Sequence, residues 1–327
     1  MPPPTATRRG FVRAMAAAAV PALSRTAWPQ SYPARPLRLL VGFPAGSSQD
    51  IVARIIGQSL SERLGQPIVI DNRPGAGGNI AVETVVNAPA DGYTLLMTGP
   101  NNAVNATLYD NLKFDFIRDI EPIAMIMSVP LVMDVNLSVP AHTVPEFIAY
   151  AKANPGKINM ASAGTGTAVH VAGELFKMLA RIDMLHVPYR GSPLAMADLF
   201  AGRVQVIFDN MPGSIGYIRA GKLRALAVTT AMRSDLLPDI PSVSDFVPGY
   251  AASAWYGVGA PRNTPREIVD ALNRGINAAL ADPAMQARLT DLGGTLRPGT
   301  PEDLGAFMAA ETEKWGKVVK FAGLKAD

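Results

Sequence analysis

Two α/β domains joined by two chain crossings are the architecture this sequence predicts, and three observations carry it. Strand-like and helix-like segments alternate along most of the chain, which is the signature of parallel sheet with helices on both faces. Two small-residue loops, one in each half, run out of a strand and open a helix. The C-terminal stretch holds one strand and three helices, too little sheet for a domain of its own. It is expected to return and cover the first domain.

Composition supports a packed protein. The chain has 327 residues, 48% hydrophobic and 17% charged, with no cysteine. That length suits two medium domains. The absence of cysteine excludes thiol catalysis, cysteine-ligated zinc and disulfides. The net charge of +3 is misleading, because Arg8, Arg9, Arg13 and Arg25 all lie in the first 27 residues, which hold no acid. Removing those four leaves 26 basic against 27 acidic residues, a net of −1. No nucleic-acid or membrane patch is therefore read from the charge. Residues 1–30 read as a cleaved export signal: Arg8 and Arg9 precede the short apolar run Ala14 to Leu23, and Thr7 to Arg13 fits a twin-arginine pattern. The general secretion route stays open beside it.

The elements follow in order. Leu37–Gly42 reads as strand. Residues 48–64 read as helix, with Ile51, Val52, Ile55, Ile56, Leu60 and Leu64 on one face. Pro67–Ile70 is strand, a short helix ends near Asn87, and Tyr93–Met97 is strand. The second half begins near Leu131. Thr143–Ala153 reads as helix, Ile158–Ala161 as strand, Val169–Leu179 as helix and Met184–Val187 as strand. Then come helix Ser192–Phe200, strand Val204–Phe208, helix Pro212–Arg219 and strand Leu223–Val228. After a Pro- and Ser-rich connection, strand Trp255–Gly259 precedes helices Pro265–Leu280, Pro283–Leu292 and Pro301–Val319. The crossings are expected near 130–136 and 250–256. Domain 1 is then 31–133 with 256–327, and domain 2 is 134–255.

The two strand-to-helix loops are the candidate site. A helix start offers free N–H groups and the positive end of a dipole, which suits an anion. In the first loop the candidates are Phe43, Ala45, Gly46, Ser47, Ser48, Gln49 and Asp50, with Asp50 able to accept from a ligand ammonium or hydroxyl. Plain helix capping by Ser47 or Ser48 explains the polar residues, but not the Pro-Ala-Gly lead-in. In the second loop they are Ser162, Ala163, Gly164, Thr165, Gly166 and Thr167, with glycines that admit close backbone approach. His170, one turn into the helix, reads as structural. Asn101 and Asn102 follow one strand, and Asp209 and Asn210 follow another, where open α/β sheets bind ligands. Turn chemistry explains these pairs equally well. Tyr189 could reach the cleft from the corner His186 to Gly191.

Motifs for chemistry fail. Gly75–Ile80 and Gly164–Val169 lack the third glycine of a dinucleotide fingerprint. Gly216–Leu223 approaches a P-loop but ends in Leu223 and joins helix to strand, the wrong order. No G-x-S-x-G elbow occurs. The three histidines, His142, His170 and His186, have no metal-site spacing. No cofactor and no metal are expected.

Taken together, several segments resemble the substrate-binding proteins of tripartite tricarboxylate transporters, the Bug family. They are Phe43-Pro-Ala-Gly-Ser-Ser-Gln-Asp50, Asn72-Arg-Pro-Gly-Ala-Gly-Gly-Asn79, Asp91-Gly-Tyr-Thr-Leu-Leu96, Ala161-Ser-Ala-Gly-Thr-Gly166, His186-Val-Pro-Tyr-Arg-Gly191, Phe208-Asp-Asn210 and Glu313-Lys-Trp-Gly316. The resemblance implies a type II periplasmic binding protein, a two-lobed flytrap closing on a small carboxylate held between the two helix-start loops. It implies a periplasmic location, two membrane subunits of a tripartite transporter as partners, no nucleic acid, and a monomer without enzymatic activity. A sensor subunit and, less well matched, an exported enzyme are the rival readings. Ser47 stands where the family usually has a second glycine, and Arg190 where it usually has lysine. Ser47, Gln49, Asn102 and Tyr256 are expected to set selectivity among acids.

Overall fold

In chain order the elements are β1 (Leu37–Val41), α1 (Ser48–Leu64), β2 (Ile68–Asn72), α2 (Asn79–Val86), β3 (Thr94–Thr98), α3 (Pro100–Leu108), α4 (Phe116–Asp119) and β4 (Ile120–Val135). Next come α5 (Val144–Ala153), β5 (Asn159–Ser162), α6 (Ala168–Ala180), β6 (Leu185–Pro188), α7 (Ser192–Phe200), β7 (Val206–Asn210), α8 (Met211–Arg219) and β8 (Arg224–Val228). The chain closes with β9 (Ser253–Pro261), α9 (Arg266–Leu280), α10 (Pro283–Thr290), β10 (Thr295–Leu296) and α11 (Pro301–Phe321). This computed structural model describes Met1, residues 32–321 and residues 323–326. Apart from Met1, the expected signal at 1–30 lies outside the described residues. No helix among them is long and apolar enough to cross a membrane.

Local chemistry accounts for the helix boundaries. Ser47 caps α1 by accepting from Asp50 N–H, and Gly65, at φ 67°, ends it in the left-handed conformation that glycine tolerates. Thr167 caps α6 in the same way, accepting from His170 N–H. Val52, Ile56 and Leu60 of α1 are buried, as the periodicity predicts. Leu39 and Val41 of β1 join them in one extended core.

The sheet is mixed, and this corrects the expectation of a parallel one. Its order is β2-β1-β3-β9-β4-β7-β5-β6, with β8 and β10 also pairing with β4. Parallel pairs hold at its two ends, β1 with β2 and β3, and β5 with β6 and β7. Every pairing of β4 and β9 is antiparallel. The reason is geometric: neighbouring strands that carry the chain away from the first half and back again run in opposite directions. Ile120–Pro130 of β4 pairs with β9, and Leu131–Val135 lies between β7 and β8. Thr229 fastens this junction. Its Oγ1 accepts from Leu131 N–H at 2.8 Å and donates to Ala252 O at 2.8 Å. The last helices do return, α9 against α1 and β4, and α11 against α3 and β4.

Four elements escape the sequence reading, one of them the short helix α4. Helix α3 follows β3 directly, where only a turn is expected. Strand β4 is 16 residues long and starts at Ile120, not near Leu131. Strand β10 is two residues long. Pro122 and Pro130 punctuate β4 and hide it, because proline within a run argues against strand.

Candidate ligand site

Five helix starts meet around one cavity. Its walls include Ser48 and Gln49 from α1, Pro100 and Asn101 from α3, and Ala168 and Val169 from α6. Ser192 opens α7 and Asn210 caps α8. Ser47, Thr167, Phe43, Ala163, Ala254 and Tyr256 complete the lining. With its open mouth the cavity encloses about 420 Å³ of space.

The hydrogen-bond accounting shows which N–H groups remain available. In α1, Asp50 N–H goes to Ser47 Oγ and Ile51 N–H to Ser47 O. Those of Ser48 and Gln49 have no carbonyl four residues back within the helix. In α6, His170 N–H goes to Thr167 Oγ1 and Val171 N–H to Thr167 O. Ala168 and Val169 are left in the equivalent position. Each helix start adds roughly half a positive charge by its dipole. Among the described residues, no Lys, Arg or His lines this cavity. Its attraction for an anion is therefore made of backbone dipoles and hydroxyls.

The sequence candidates divide accordingly. Phe43, Ser47, Ser48, Gln49, Asn101, Ala163, Thr167 and Asn210 line the cavity. Gln49 is held by both ends of its amide: Oε1 accepts from Gly42 N–H and Nε2 donates to Met97 O, each at 3.2 Å. Asn101 Nδ2 donates to Gly77 O at 2.9 Å. Gly164, Thr165 and Tyr189 line a neighbouring cavity of about 720 Å³, which also takes in Arg190 and shares Phe43 and Ala163 with the first. Tyr189 hydroxyl donates to Asp198 Oδ2 at 2.7 Å.

Ala45, Gly46, Asp50, Asn102, Ser162, Gly166 and Asp209 line neither cavity, each for a readable reason. Ala45 and Gly46 sit at the exposed apex of the loop. Asp50 turns inward, where Gly46 N–H, Asn72 Nδ2 and Arg54 occupy both its oxygens. Burial pushes Asp50 up, but these donors outweigh it and hold the carboxyl below its ordinary range. Asn102 Oδ1 accepts from Gly99 N–H at 2.9 Å as part of the α3 start. Ser162 Oγ meets His186 Nε2 at 2.6 Å. Gly166 N–H donates to His170 Nδ1 at 3.1 Å, so it is not available to a ligand. His170 is buried, as expected of a structural residue, and stacks on His186 with ring centres 3.8 Å apart. Burial, with the His170 ring beside it, pushes His186 down to about 3.

Asp209 lies just beneath the cavity and is fully buried. Its Oδ1 accepts from Ser192 Oγ at 2.7 Å, while Oδ2 has no hydrogen-bond partner in the protein. Burial pushes its carboxyl up to about 6. Ser192, Pro100, Ala168, Val169 and Ala254 are lining residues the sequence reading missed, while Tyr256 enters only as a selectivity position. Their signal was position: most of them open a helix directly after a strand, where open α/β sheets bind ligands.

Comparison with known proteins follows the same line. A sequence profile described as "Tripartite tricarboxylate transporter family receptor" matches residues 52–324. The chain is 37% identical over 298 residues to Protein BugT of Bordetella pertussis, covering 90% of this chain and 91% of that one. Among solved structures it is similar to R. palustris Rpa4515 with adipate, at a TM-score of 0.88 and 38% identity, covering 90% and 100% of the two chains. It is also similar to MatC from Rhodopseudomonas palustris with bound malate, at a TM-score of 0.84 and 31% identity, covering 88% and 100%.

Proposed function

The chain belongs to the tripartite tricarboxylate transporter receptor family, and from that premise we propose that it is a periplasmic solute-binding protein that captures a small carboxylate for a tripartite transporter. One observation carries the reading: five helix starts surround a cavity that no cationic side chain among the described residues lines. A carboxylate removed from water needs its charge matched by hydrogen bonds. Fixed backbone N–H groups and short hydroxyls supply these with little side-chain ordering. The relatives bound to adipate and malate support testing such acids first as candidate ligands.

In this reading residues 31–133 with 256–327 form one lobe and 134–255 the other. The lobes close on the ligand, which favours the closed state through contacts made only there. Loops of the two lobes already meet in this structure. Gly166 lies against Leu108 and Asn105, and Gly191 against Pro44. The carboxylate sits between the α1 and α6 starts, with Ser48, Tyr256, Ser192 and Asn210 around it. The protein binds without turnover, works as a monomer, leaves the cytoplasm by a cleaved signal at 1–30 and hands its ligand to two membrane subunits.

The test is thermal unfolding of the mature chain against a panel of organic acids, amino acids and sugars. A ligand at about a hundred times its Kd adds about 2.7 kcal/mol of stability. A raised midpoint with small carboxylates and none with sugars is the expected result. No shift with any acid, on protein freed of co-purified ligand by unfolding and refolding, refutes the carboxylate site.

A further inference from the structure

We propose that this protein captures its carboxylate together with one proton, which the buried carboxyl pair Asp134 and Asp209 takes from solvent. The proposal rests on the carboxylate-receptor reading above.

The pair is set by strand register. Val132 of β4 stands opposite Asp209 of β7. Asp134, two residues on, shares that face and is a diagonal neighbour of Asp209. Both side chains are fully buried. Neither oxygen of Asp134 has a hydrogen-bond partner in the protein, nor has Asp209 Oδ2. Ser214 Oγ lies near both carboxyls and lowers each a little, without reaching hydrogen-bond geometry.

One layer of side chains separates Asp209 from the cavity. Ser192 lines the cavity and donates to Asp209 Oδ1. On the other side, a Cβ built on Gly213 would lie 2.6 Å from Asp209 Oδ2 and 2.9 Å from Ser48 Oγ. The carboxyl and the cavity-lining Ser48 hydroxyl therefore close on the same point of bare backbone.

Among the described residues no cation pairs with either carboxyl. From β4 comes the Asp134 carboxyl and from β9 the Tyr256 hydroxyl, both pushed up by burial, and from β8 comes Arg224, which stands opposite Val135 and whose guanidinium donates to the carbonyls of Val139 and Ala141. In α6, Glu174 pairs with Lys177 and lies 3.7 Å from His170. In α7, Asp198 pairs with Arg203 and Tyr189. In α8, Arg219 is exposed, and in α1, Asp50 pairs with Arg54. Strand β5 carries no charge. A ligand carboxylate entering above an ionised Asp209 thus meets a like charge that only helix dipoles and hydroxyls, and no side-chain cation among the described residues, offset. Protonating Asp209 removes the conflict. In the free protein burial already brings this group to about 6, so at neutral pH it is mostly ionised and has a proton to gain. Asp134 is pushed well up by burial, with Ser214 opposing and the Asp209 charge adding to the rise.

The sign follows. Binding raises the pKa of Asp209, so affinity is full below about pH 6 and falls as pH rises, by about tenfold per unit for one coupled proton. Above pH 6 the ligand's own carboxyls are already ionised.

The experiment is titration calorimetry of the mature protein with adipate, malate and the other acids of the panel between pH 6.5 and 8. Each is run in buffers of different ionisation enthalpy. The expected result is uptake of close to one proton per ligand at pH 7.5 and a Kd that rises about tenfold per pH unit. Asp209→Asn is expected to show no uptake and a Kd that is flat with pH. Ser192→Ala removes the hydrogen bond that most favours ionised Asp209, and moves the break in log Kd to higher pH. The wild-type proton count decides alone, even where a variant fails to fold. Binding with no proton exchange overturns the proposal and leaves the receptor reading standing. Failure of every acid to bind at every pH overturns both.

Discussion

If the two-lobe reading proposed above holds, Gly166→Ala separates lobe closure from folding. Gly166 has φ +80°, and a Cβ built there lies 2.3 Å from Leu108 Cδ2 and 2.6 Å from Asn105 Oδ1. Both neighbours belong to α3 and are themselves buried. Carbon contacts are comfortable at about 3.5 Å, so the loop after β5 and α3 must separate by about 1 Å. Two costs follow. A left-handed alanine costs about 1–2 kcal/mol wherever the loop keeps its shape, with or without ligand. Overpacking against α3 costs about 1–3 kcal/mol, and only when the lobes meet. The second cost alone acts on affinity. At 1.4 kcal/mol per decade it raises Kd about 5- to 150-fold. The first lowers the ligand-free melting midpoint by a few degrees. Calorimetric titration with the acid that stabilises the wild type gives Kd, and scanning calorimetry without ligand gives the midpoint. A lowered midpoint with Kd within twofold of wild type refutes the closure contact, because the bound state then lacks it.

Three further outcomes are expected. Asn210→Asp places a charge on the wall of a cavity that no cation among the described residues lines. Two carboxylates about 4 Å apart repel by about 4 kcal/mol at an effective dielectric of 20, so the wild-type ligand is expected to lose at least tenfold in affinity at pH 8, and unchanged binding would remove Asn210 from the site. Ser47→Ala deletes the α1 cap and is expected to cost about 1 kcal/mol of stability, read by urea unfolding. An unchanged midpoint there means the cap bond contributes nothing. His186→Gln addresses acid sensitivity. A histidine held down to about 3 in the fold but near 6.5 when unfolded binds fewer protons folded, so its contribution is intact above pH 6.5 and is lost as pH falls toward 3. Glutamine cannot titrate, and the slope of stability against pH in that window is expected to flatten by up to one proton; an identical slope in both proteins refutes the assignment.

What the sequence determined on its own is local. The starts of α1 and α7 are readable at Ser48 and Ser192 because caps, glycines and prolines act within a turn. The strand-to-helix loops are readable for the same reason, and with them the expectation of anion-seeking N–H groups. The structural role of His170 also follows from its place one turn into a helix. Long-range features were hidden. Strand β4 is masked by its prolines, and its antiparallel neighbours are chosen by the path of a chain that leaves and returns. The sequence could not assign each N–H group. Gly166 gives its own to His170, and Asp50 turns to Arg54 and Asn72, choices made by side chains that meet only after folding. The tertiary structure alone brought five helix starts to one cavity, kept cations from its walls and set Asp209 beneath it with a bare oxygen. Such features depend on sheet register and on the packing of distant elements, and hydrophobic period and turn chemistry carry no record of either.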